Sequence, residues 1–343
     1  MTNRLELTWK LDGFVDEQRY YCSETPIDVN APPAPVAVLA GDVRSHTESG
    51  LTEGKRYYTR ISAFKNGVEK ISDEKVILFG QEWTPSGIAK LWIDAEHVVV
   101  NESNQISLAT DMSISGFNLS QANNANKPIL ANNVFGDKPA IRFNGSTSTG
   151  QWLASTAANV LTASKNSLWC FVVVKNNSVV VGKNMGIMRA PIGNGDDRGR
   201  FTCLSSEGSN LGNVFIGFRR LDADSVLTYL GENISSNKKI LCFERNYTTA
   251  ISSISVDGVK TSSIASGTTG NTSNTTSHTV PFVVGTESVV TNYLNGDIAC
   301  LIFGNNELSL QERQKLEGWA AHKYGLTGNL PSDHPYKILV PTI

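Results

Sequence analysis

Two polar loops carry the residue types that bind sugars or cations. The stretch 192–199 gathers Asn194, Asp196, Asp197 and Arg198 between glycines. Amide, carboxylate and guanidinium groups hydrogen-bond to sugar hydroxyls, and carboxylate and carbonyl oxygens are the ligands that Ca²⁺ takes. We therefore predict that this loop binds a ligand, and calcium is the only cofactor that the sequence leaves open.

A second loop contains Asp222 and Asp224, which have the spacing of the first two acidic positions of a calcium loop. The other ligands of such a loop do not follow, so this loop is the weaker candidate. Polar loops join strands in most β-proteins, and a purely structural role is the alternative for both loops.

No pair of acidic residues has the arrangement that polysaccharide hydrolysis requires. Retaining glycosidases hold two carboxyl groups about 5–5.5 Å apart, and the nearest local candidate is Asp94 with Glu96. For Asp94, a hydrogen bond from its carboxylate to the nearby backbone is the commoner role. Glu244 has no acidic neighbour on its own apolar strand. The sequence thus predicts no catalytic residue, and we expect a protein that is not an enzyme.

Histidines and cysteines show no metal-binding pattern. The five histidines lack the spacing of metal ligands, and we expect His322 and His334 to pack and hydrogen-bond near the C-terminus. The five cysteines are widely spaced and mostly inside apolar segments, which favours buried, reduced thiols over disulfides or metal ligation. They are Cys22, Cys170, Cys203, Cys242 and Cys300.

Charge and hydropathy limit the partners of this chain. The net charge is −2, and no run of lysines and arginines provides a footprint for nucleic acid. No apolar run approaches the ~18 residues of a membrane span, and the N-terminus lacks a signal-peptide core. We expect neither nucleic-acid binding nor membrane insertion, and we expect synthesis in a cytoplasm with release by a route other than secretion.

Strands and turns are the elements that must position these residues. A chain of 343 residues exceeds the usual size of one core, so two domains are expected. Only 18% of the residues are charged, while Ser, Thr, Asn and Gly are abundant, which favours an all-β protein. Asp257-Gly258 between apolar residues predicts a two-residue hairpin, and the polar stretch Ala265–Ser277 predicts an exposed, mobile turn.

One helix is predicted near the C-terminus. Ser309 and Glu312 have the spacing of a capping box, in which each side chain satisfies a free amide of the first turn. Leu316 and Trp319 then recur at helical spacing, and Gly325 stands where a left-handed residue ends a helix. We therefore expect a single short helix after a long series of strands.

Residues 1–80 form the first predicted domain. Leu51, Gly54 and Tyr57 have the spacing of a tyrosine corner, in which the phenol oxygen ties the incoming loop to its strand. This region resembles a fibronectin type III domain. Because Trp9 lies so early, little chain remains for the first strand of that family, and we hypothesise that another chain pairs with the open edge. An edge protected by its own twist or by the linker is the alternative.

Segments about 200 residues apart carry a second resemblance. The opening segments are Leu91–Ala95, Lys127–Leu130 and Lys138–Gly145, and the closing segments are Asn295–Ala299, Leu316–Trp319, His322–Leu326 and Asp333–Lys337. In order and spacing they are similar to concanavalin-A-like (laminin-G-like) domains in virion proteins of tailed bacteriophages. The Trp and Asp common in that family are not evident around 109–116, so no conformation is predicted for that loop.

The resemblances imply a domain plan. A fibronectin type III-like sandwich (1–80) and a linker (81–87) precede a concanavalin-A-like jelly-roll sandwich with one C-terminal helix (88–326), followed by a C-terminal arm (327–343). In a jelly roll the opening and closing segments lie side by side.

The phage resemblance also implies a function. We expect a non-enzymatic structural protein of the virion, on the tail or another exposed surface, whose lectin-like domain attaches weakly and multivalently to host-surface glycan. Its partners would be other virion proteins and copies of itself. A decoration or collar protein without a ligand is the alternative, and a polysaccharide-degrading enzyme is a more distant one.

Overall fold

The protein divides into two compact units, Met1–Trp83 with Ile338–Ile343 and Thr84–Lys337. The structure, a computed structural model, describes residues 4–145, 150–177, 185–190, 199–206, 212–221, 223–234, 237–273, 281–288 and 291–343. The stretch predicted as a C-terminal arm is thus shared, because 327–337 belongs to the second unit and 338–343 to the first.

Seven strands build the described part of the first unit as two antiparallel sheets. They are β1 (Arg4–Thr8), β2 (Glu17–Ser23), β3 (Ala37–Ala40), β4 (Ser45–Ser49), β5 (Arg56–Lys65), β6 (Val68–Ile71) and β7 (Lys75–Leu78). β1 pairs with β4, while β2 lies between β3 and β5, and β6 and β7 pair with successive parts of β5. Among the described residues β1 has no second neighbour, and its pairing with another chain stays a prediction.

The predicted tyrosine corner is confirmed. The Tyr57 hydroxyl accepts a hydrogen bond from the amide of Thr52 at 2.8 Å, and Gly54 has φ +81°. This bond fixes the loop that enters β5. The final residues of the chain return to the same unit, where Thr342 forms a β-bridge with Glu82 and Val340 is buried.

Eighteen strands and one α-helix form the described part of the second unit. The strands are β8 (Leu91–Val100), β9 (Ile106–Asp111), β10 (Leu119–Ser120), β11 (Ile129–Phe135), β12 (Lys138–Asn144), β13 (Leu153–Ser155), β14 (Ser167–Asn176), β15 (Met185–Ala190), β16 (Phe201–Ser206), β17 (Asn213–Phe218), β18 (Leu227–Asn233), β19 (Lys238–Asn246), β20 (Ile251–Val256), β21 (Val259–Ala265), β22 (Phe282–Val284), β23 (Thr286–Ser288), β24 (Thr291–Tyr293) and β25 (Asn295–Gly304). The helix is α1 (Leu310–Lys323), and short 3₁₀ turns lie at Pro85–Gly87, Asn124–Asn126, Ala157–Thr162 and Thr327–Asn329.

The strands pack as an antiparallel sandwich, so the predicted all-β fold class is confirmed. One run of neighbours is β18-β17-β16-β15-β22-β13-β10-β9, and β8 connects it to β25-β14-β19-β20-β21. Phe303 of β25 meets Phe201 of β16 and Phe282 of β22 edge to face, with ring centroids 6.0 and 5.4 Å apart. The aromatic rings of the two runs therefore share one core.

The opening and closing segments lie side by side, as predicted. Residues Leu91–Asp94 of β8 pair with Cys300–Phe303 of β25, and β12 pairs with the other part of β25. The central strand β14 is apolar and fully buried from Leu168 to Val174, since both of its faces are covered. Burying each such large side chain contributes about 1.5–3 kcal/mol.

Several local predictions are confirmed. Asp257 and Gly258 have φ +51° and +86° and join β20 to β21. Ser309 and Glu312 form both hydrogen bonds of the capping box, and Gly325 has φ +67° after the helix. All five cysteines are free thiols, and four of them are buried.

Other predictions need correction. The stretch Ala265–Ser277 is not uniformly exposed, because Thr272 is buried and its hydroxyl donates to the carbonyl of Thr162 at 2.7 Å. The loop around 109–116 does contain an organising aspartate, since Asp111 accepts hydrogen bonds from the amides of Trp92 and Phe117. The apolar run Ser178–Val181, whose sequence also predicts a strand, lies outside the described residues.

Candidate functional site

The structure describes one of the six residues predicted to bind a ligand. Asp224 lies in the turn between β17 and β18, where its Oδ2 accepts a hydrogen bond from the amide of Leu221 at 2.9 Å. Its carboxylate thus shapes the turn. The other five lie outside the described residues and are Asn194, Asp196, Asp197, Arg198 and Asp222.

Asp224 also lines a cavity of about 220 Å³ in the second unit. We name this cavity the arginine pocket, because three guanidinium groups contribute to its walls. Its principal residues are Phe218, Arg219, Arg220, Asp224, Arg245 and Gly267.

Segments that are distant in the chain meet at this pocket. β17 ends at Phe218, which pairs with Leu227 at the start of β18, so the intervening turn carries the pocket's other two arginines. Arg245 is the last residue but one of β19, and Gly267 follows β21. Gly267 has φ +84°, a conformation that favours glycine.

Arg245 forms the base of the pocket. Its Nη1 donates to the carbonyl of Ala250 at 2.7 Å and to the hydroxyl of Ser252 at 3.1 Å, and its Nη2 donates to the carbonyl of Ser266 at 2.8 Å. The guanidinium carbon lies 4.1 Å from the ring centroid of Phe218, a cation–π contact. These contacts fix the guanidinium plane before any ligand arrives.

Arg219 and Arg220 also donate hydrogen bonds to neutral oxygens. Arg219 donates from Nε to the carbonyl of Gly199 at 3.2 Å and from Nη1 to that of Asp224 at 3.1 Å. Arg220 is half-buried, and its Nε donates to the hydroxyl of Thr268 at 3.1 Å. For Arg220, hydroxyl and carbonyl oxygens orient the guanidinium group without neutralising its charge.

Cationic side chains outnumber anionic ones among the described residues that line the arginine pocket. Three guanidinium groups and the single carboxylate of Asp224 lie among its described lining residues. Burial lowers the pKa of Arg245, because the charged form loses contact with water. An anion bound here would offset that loss of hydration.

A second cavity of about 290 Å³ lies on the sheet beside the start of α1. Its lining includes Glu244 and Glu307, so the tertiary structure gives Glu244 an acidic companion that its own strand does not. Burial raises the pKa of Glu244, whose nearest cations are Arg313 at 3.7 Å and Lys260 at 3.9 Å. We name this cavity the polar groove.

Asp94 has the structural role expected from the sequence and one further role. Its Oδ1 accepts a hydrogen bond from the amide of Glu96 at 2.9 Å, which confirms a side-chain-to-backbone bond. Its Oδ2 also accepts from Lys323 Nζ at 2.6 Å and from the Tyr324 hydroxyl at 2.9 Å. Asp94 therefore ties the end of α1 to the sheet.

The two C-terminal histidines are structural, as predicted. His334 is buried and its Nε2 lies 3.1 Å from Oε2 of Glu317, while Oε1 of the same carboxylate accepts from Nη1 of Arg313 at 2.8 Å. His322 Nε2 lies 3.0 Å from the carbonyl oxygen of Tyr336. The closing segment thus forms a polar network around the helix.

No metal site or membrane span is visible in the part of the chain that the structure describes. No three histidine, cysteine or acidic side chains there lie close enough together to hold a metal ion. The predicted calcium loop lies almost entirely outside that part. No described helix has the length and apolar character needed to span a membrane.

Sequence reasoning missed all three arginines of the pocket. One signal was available, because Arg219-Arg220 directly precedes the loop with Asp222 and Asp224. Arg245 gave no such signal, since a single arginine in an apolar strand normally lies at a surface.

Comparisons with known proteins find likeness in solved structures only. No family model and no curated protein matches this chain. Botulinum neurotoxin type C, described as interacting with two ganglioside molecules, aligns at 11% identity with a TM-score of 0.45, covering 68% of this chain and 51% of that one. The binding domain of botulinum neurotoxin serotype D aligns at 12% identity and a TM-score of 0.43, covering 68% and 52%.

A third solved structure is a bacterial carbohydrate-binding module. CBM40 of the Ruminococcus gnavus IT-sialidase, bound to α2,3-sialyllactose, aligns at 14% identity and a TM-score of 0.37, covering 50% of this chain and 91% of the module. The chain spans about half the length of the two botulinum structures. At these identities the likeness concerns the β-sandwich alone, and no residue role is transferred.

Proposed function

We propose that this chain is a non-enzymatic structural protein of a bacteriophage virion whose second unit binds saccharide on the host surface. The phage assignment is supported by the segments at the two ends of the second unit, in their order and spacing. The binding role is supported by one observation, the arginine pocket, in which oriented guanidinium donors and the Asp224 carboxylate surround a small cavity. Such groups hydrogen-bond to sugar hydroxyls.

The size of the pocket supports the proposal of weak, multivalent attachment. Its 220 Å³ is below the ~300–1,000 Å³ of sites for drug-sized ligands. A cavity of this size engages a small part of a glycan, and the affinity of one copy is correspondingly low. Many copies on one particle raise the effective affinity by about 10²–10⁴ when their geometry permits simultaneous contact.

Binding to host cells tests the proposal. Beads coated with the full chain are expected to retain cells, while the free chain binds them weakly. Ser225 is exposed and lines the pocket, so Ser225→Trp is expected to fill it and release the cells. Ser103→Trp, in the exposed turn between β8 and β9, is the matched control and should retain them. Equal retention by both variants would contradict binding at the arginine pocket.

Two further measurements address the particle and the absence of catalysis. Antibodies against this chain should label purified phage particles in electron micrographs, and a failure to label them would contradict a virion location. Incubation of the full chain with host polysaccharide should release no reducing ends. Labelled particles together with beads that bind no cells would favour the decoration or collar role.

A further inference from the structure

The edge of Arg245 that carries Nε is the feature that points to a ligand class. An arginine has five N–H groups, and three of those on Arg245 are engaged by Ala250, Ser252 and Ser266. The two that remain are Nε–H and one N–H of Nη2. Nε is buried and has no hydrogen-bond partner in the described part of the chain. A buried donor without a partner has lost its hydration without a compensating hydrogen bond, so an acceptor placed there is favoured.

Another arginine of the same chain shows what this edge binds. Arg142 uses its Nε and Nη2 to hold both carboxylate oxygens of Asp297, at 2.7 and 3.0 Å. Nε and Nη2 share one edge of the planar guanidinium group, and this edge matches a carboxylate or phosphate. Arg245 presents the same pair of atoms, but no carboxylate of the described residues lies at ion-pair distance from it.

Arg245 lines the pocket together with Gly267. A Cβ added at Gly267 would lie 3.4 Å from Nη2 of Arg245 and 2.8 Å from Cδ1 of Leu227, so glycine avoids a clash at this wall of the pocket. Arg220 lines the same cavity, and its described hydrogen bonds go to a hydroxyl and a carbonyl. Two cations without carboxylate partners in the described residues therefore share one small cavity.

We propose that the arginine pocket selects an acidic saccharide, whose carboxylate or phosphate oxygens are bound by Arg245 and Arg220. The inference rests on the proposed function, because it names the class of sugar for the same site. The anionic group lies against the two guanidinium groups, and the sugar hydroxyls face Asp224 and Ser225.

Calorimetry with matched sugars tests the selection on the full chain. Methyl glucuronide carries a carboxylate, glucose 6-phosphate carries a phosphate, and methyl glucoside carries neither. We expect at least one of the acidic sugars to bind about 10- to 100-fold more tightly than methyl glucoside, the range that a charge-assisted hydrogen bond supplies. The acidic sugar that binds more tightly identifies the oxyanion. Equal binding of all three sugars would overturn the inference.

Inorganic phosphate and variants separate a sugar site from a general anion site. Phosphate alone should bind more weakly than the acidic sugars, and equal affinity would overturn selection of a saccharide. Arg220→Gln should reduce the preference for acidic over neutral sugar several-fold. Arg56→Gln, on an exposed arginine of β5, removes the same charge elsewhere and should leave the preference unchanged. An unchanged preference in Arg220→Gln would likewise contradict the assignment.

The outcomes distinguish this inference from the proposed function. If chain-coated beads bind host cells but the acidic sugars show no advantage, the acidic class is wrong and glycan attachment stands. If neither the beads nor any sugar is bound, both are wrong.

Discussion

Two charged regions of the second unit differ in how their charges are compensated. Beside α1, Asp94 is paired with Lys323, and Glu317 is paired with Arg313 and His334. In the arginine pocket, Arg245 is buried as deeply but donates to carbonyl and hydroxyl oxygens. In the first region the opposite charges pair with one another and hold the helix against the sheet. In the second, the positive charge of Arg245 has no described carboxylate partner and is available to a ligand. Buried charge by itself therefore does not mark a site, and incomplete compensation is the more informative feature.

The largest expected effect comes from breaking the compensated region. Asp94→Ala removes a fully buried carboxylate and leaves Lys323 with only the half-exposed Glu96, at 2.9 Å. Loss of one partner of a buried pair costs about 3–5 kcal/mol. Denaturant unfolding of the full chain should show a loss of this size in the free energy of unfolding.

A double variant checks the reason for that loss. Asp94→Ala with Lys323→Met removes both charges and should be less destabilised than Asp94→Ala alone, because no uncompensated cation remains. A loss below about 1 kcal/mol in Asp94→Ala would show that the Asp94–Lys323 pair does not hold the helix against the sheet.

A smaller, pH-dependent effect is expected at Glu244, which lies between the helix network and the polar groove. Burial raises its pKa above the ordinary 4.5, although Lys260 and Arg313 act against the increase. An acid with a raised pKa in the folded state adds stability that is fully present below its unfolded-state pKa and is lost as pH rises through the folded value. The stability of the wild type relative to Glu244→Gln should therefore fall from about pH 4.5 towards neutral pH.

Denaturant unfolding curves of the wild type and of Glu244→Gln, recorded at several pH values, measure this difference in the free energy of unfolding. Glu307→Gln, at the other acidic residue of the same cavity, is the control for removing one carboxylate there. A difference between wild type and Glu244→Gln that is flat, or that rises with pH, would contradict the effect of burial.

The smallest effect is expected in the arginine pocket itself. Arg220 is half-buried and pairs with no described carboxylate, so Arg220→Gln should change the free energy of unfolding by less than about 0.5 kcal/mol. Arg142→Gln is the matched comparison, because it breaks a bidentate pair with the fully buried Asp297 and should cost about 1.5–3 kcal/mol. Thermal unfolding of the two variants measures both losses of stability relative to the wild type. A large loss in Arg220→Gln would give the pocket a structural role.

The sequence predicted features whose partners are neighbours in the chain. Ser309 and Glu312 are three residues apart, Asp257 and Gly258 are adjacent, and Tyr57 bonds to an amide five residues earlier. Residue type and spacing nearly determine such geometries. The pairing of the opening and closing segments could also be predicted from the sequence. A family resemblance carries information on contacts between segments that are distant in the chain, which rules for neighbouring residues do not.

The candidate site was only partly accessible from the sequence. The turn with Asp224 was singled out because several acidic and polar residues lie together in the chain. The burial of Thr272 and the organising role of Asp111 were not predicted. Their hydrogen-bond partners Thr162 and Trp92 are distant in the chain. A polar residue in a polar stretch gives no indication that the fold will bury it.

The sequence by itself determined the all-β class, the single capped helix and the turns, because backbone sterics and hydrogen bonds between near neighbours decide them. Only the tertiary structure decided that Arg220, Arg245 and Gly267 share one cavity, since they come from three separate segments. Whether a buried charge is compensated depends on every group that the fold brings within a few ångströms of it. That environment distinguishes the arginine pocket from the region around Asp94, where buried charges are paired.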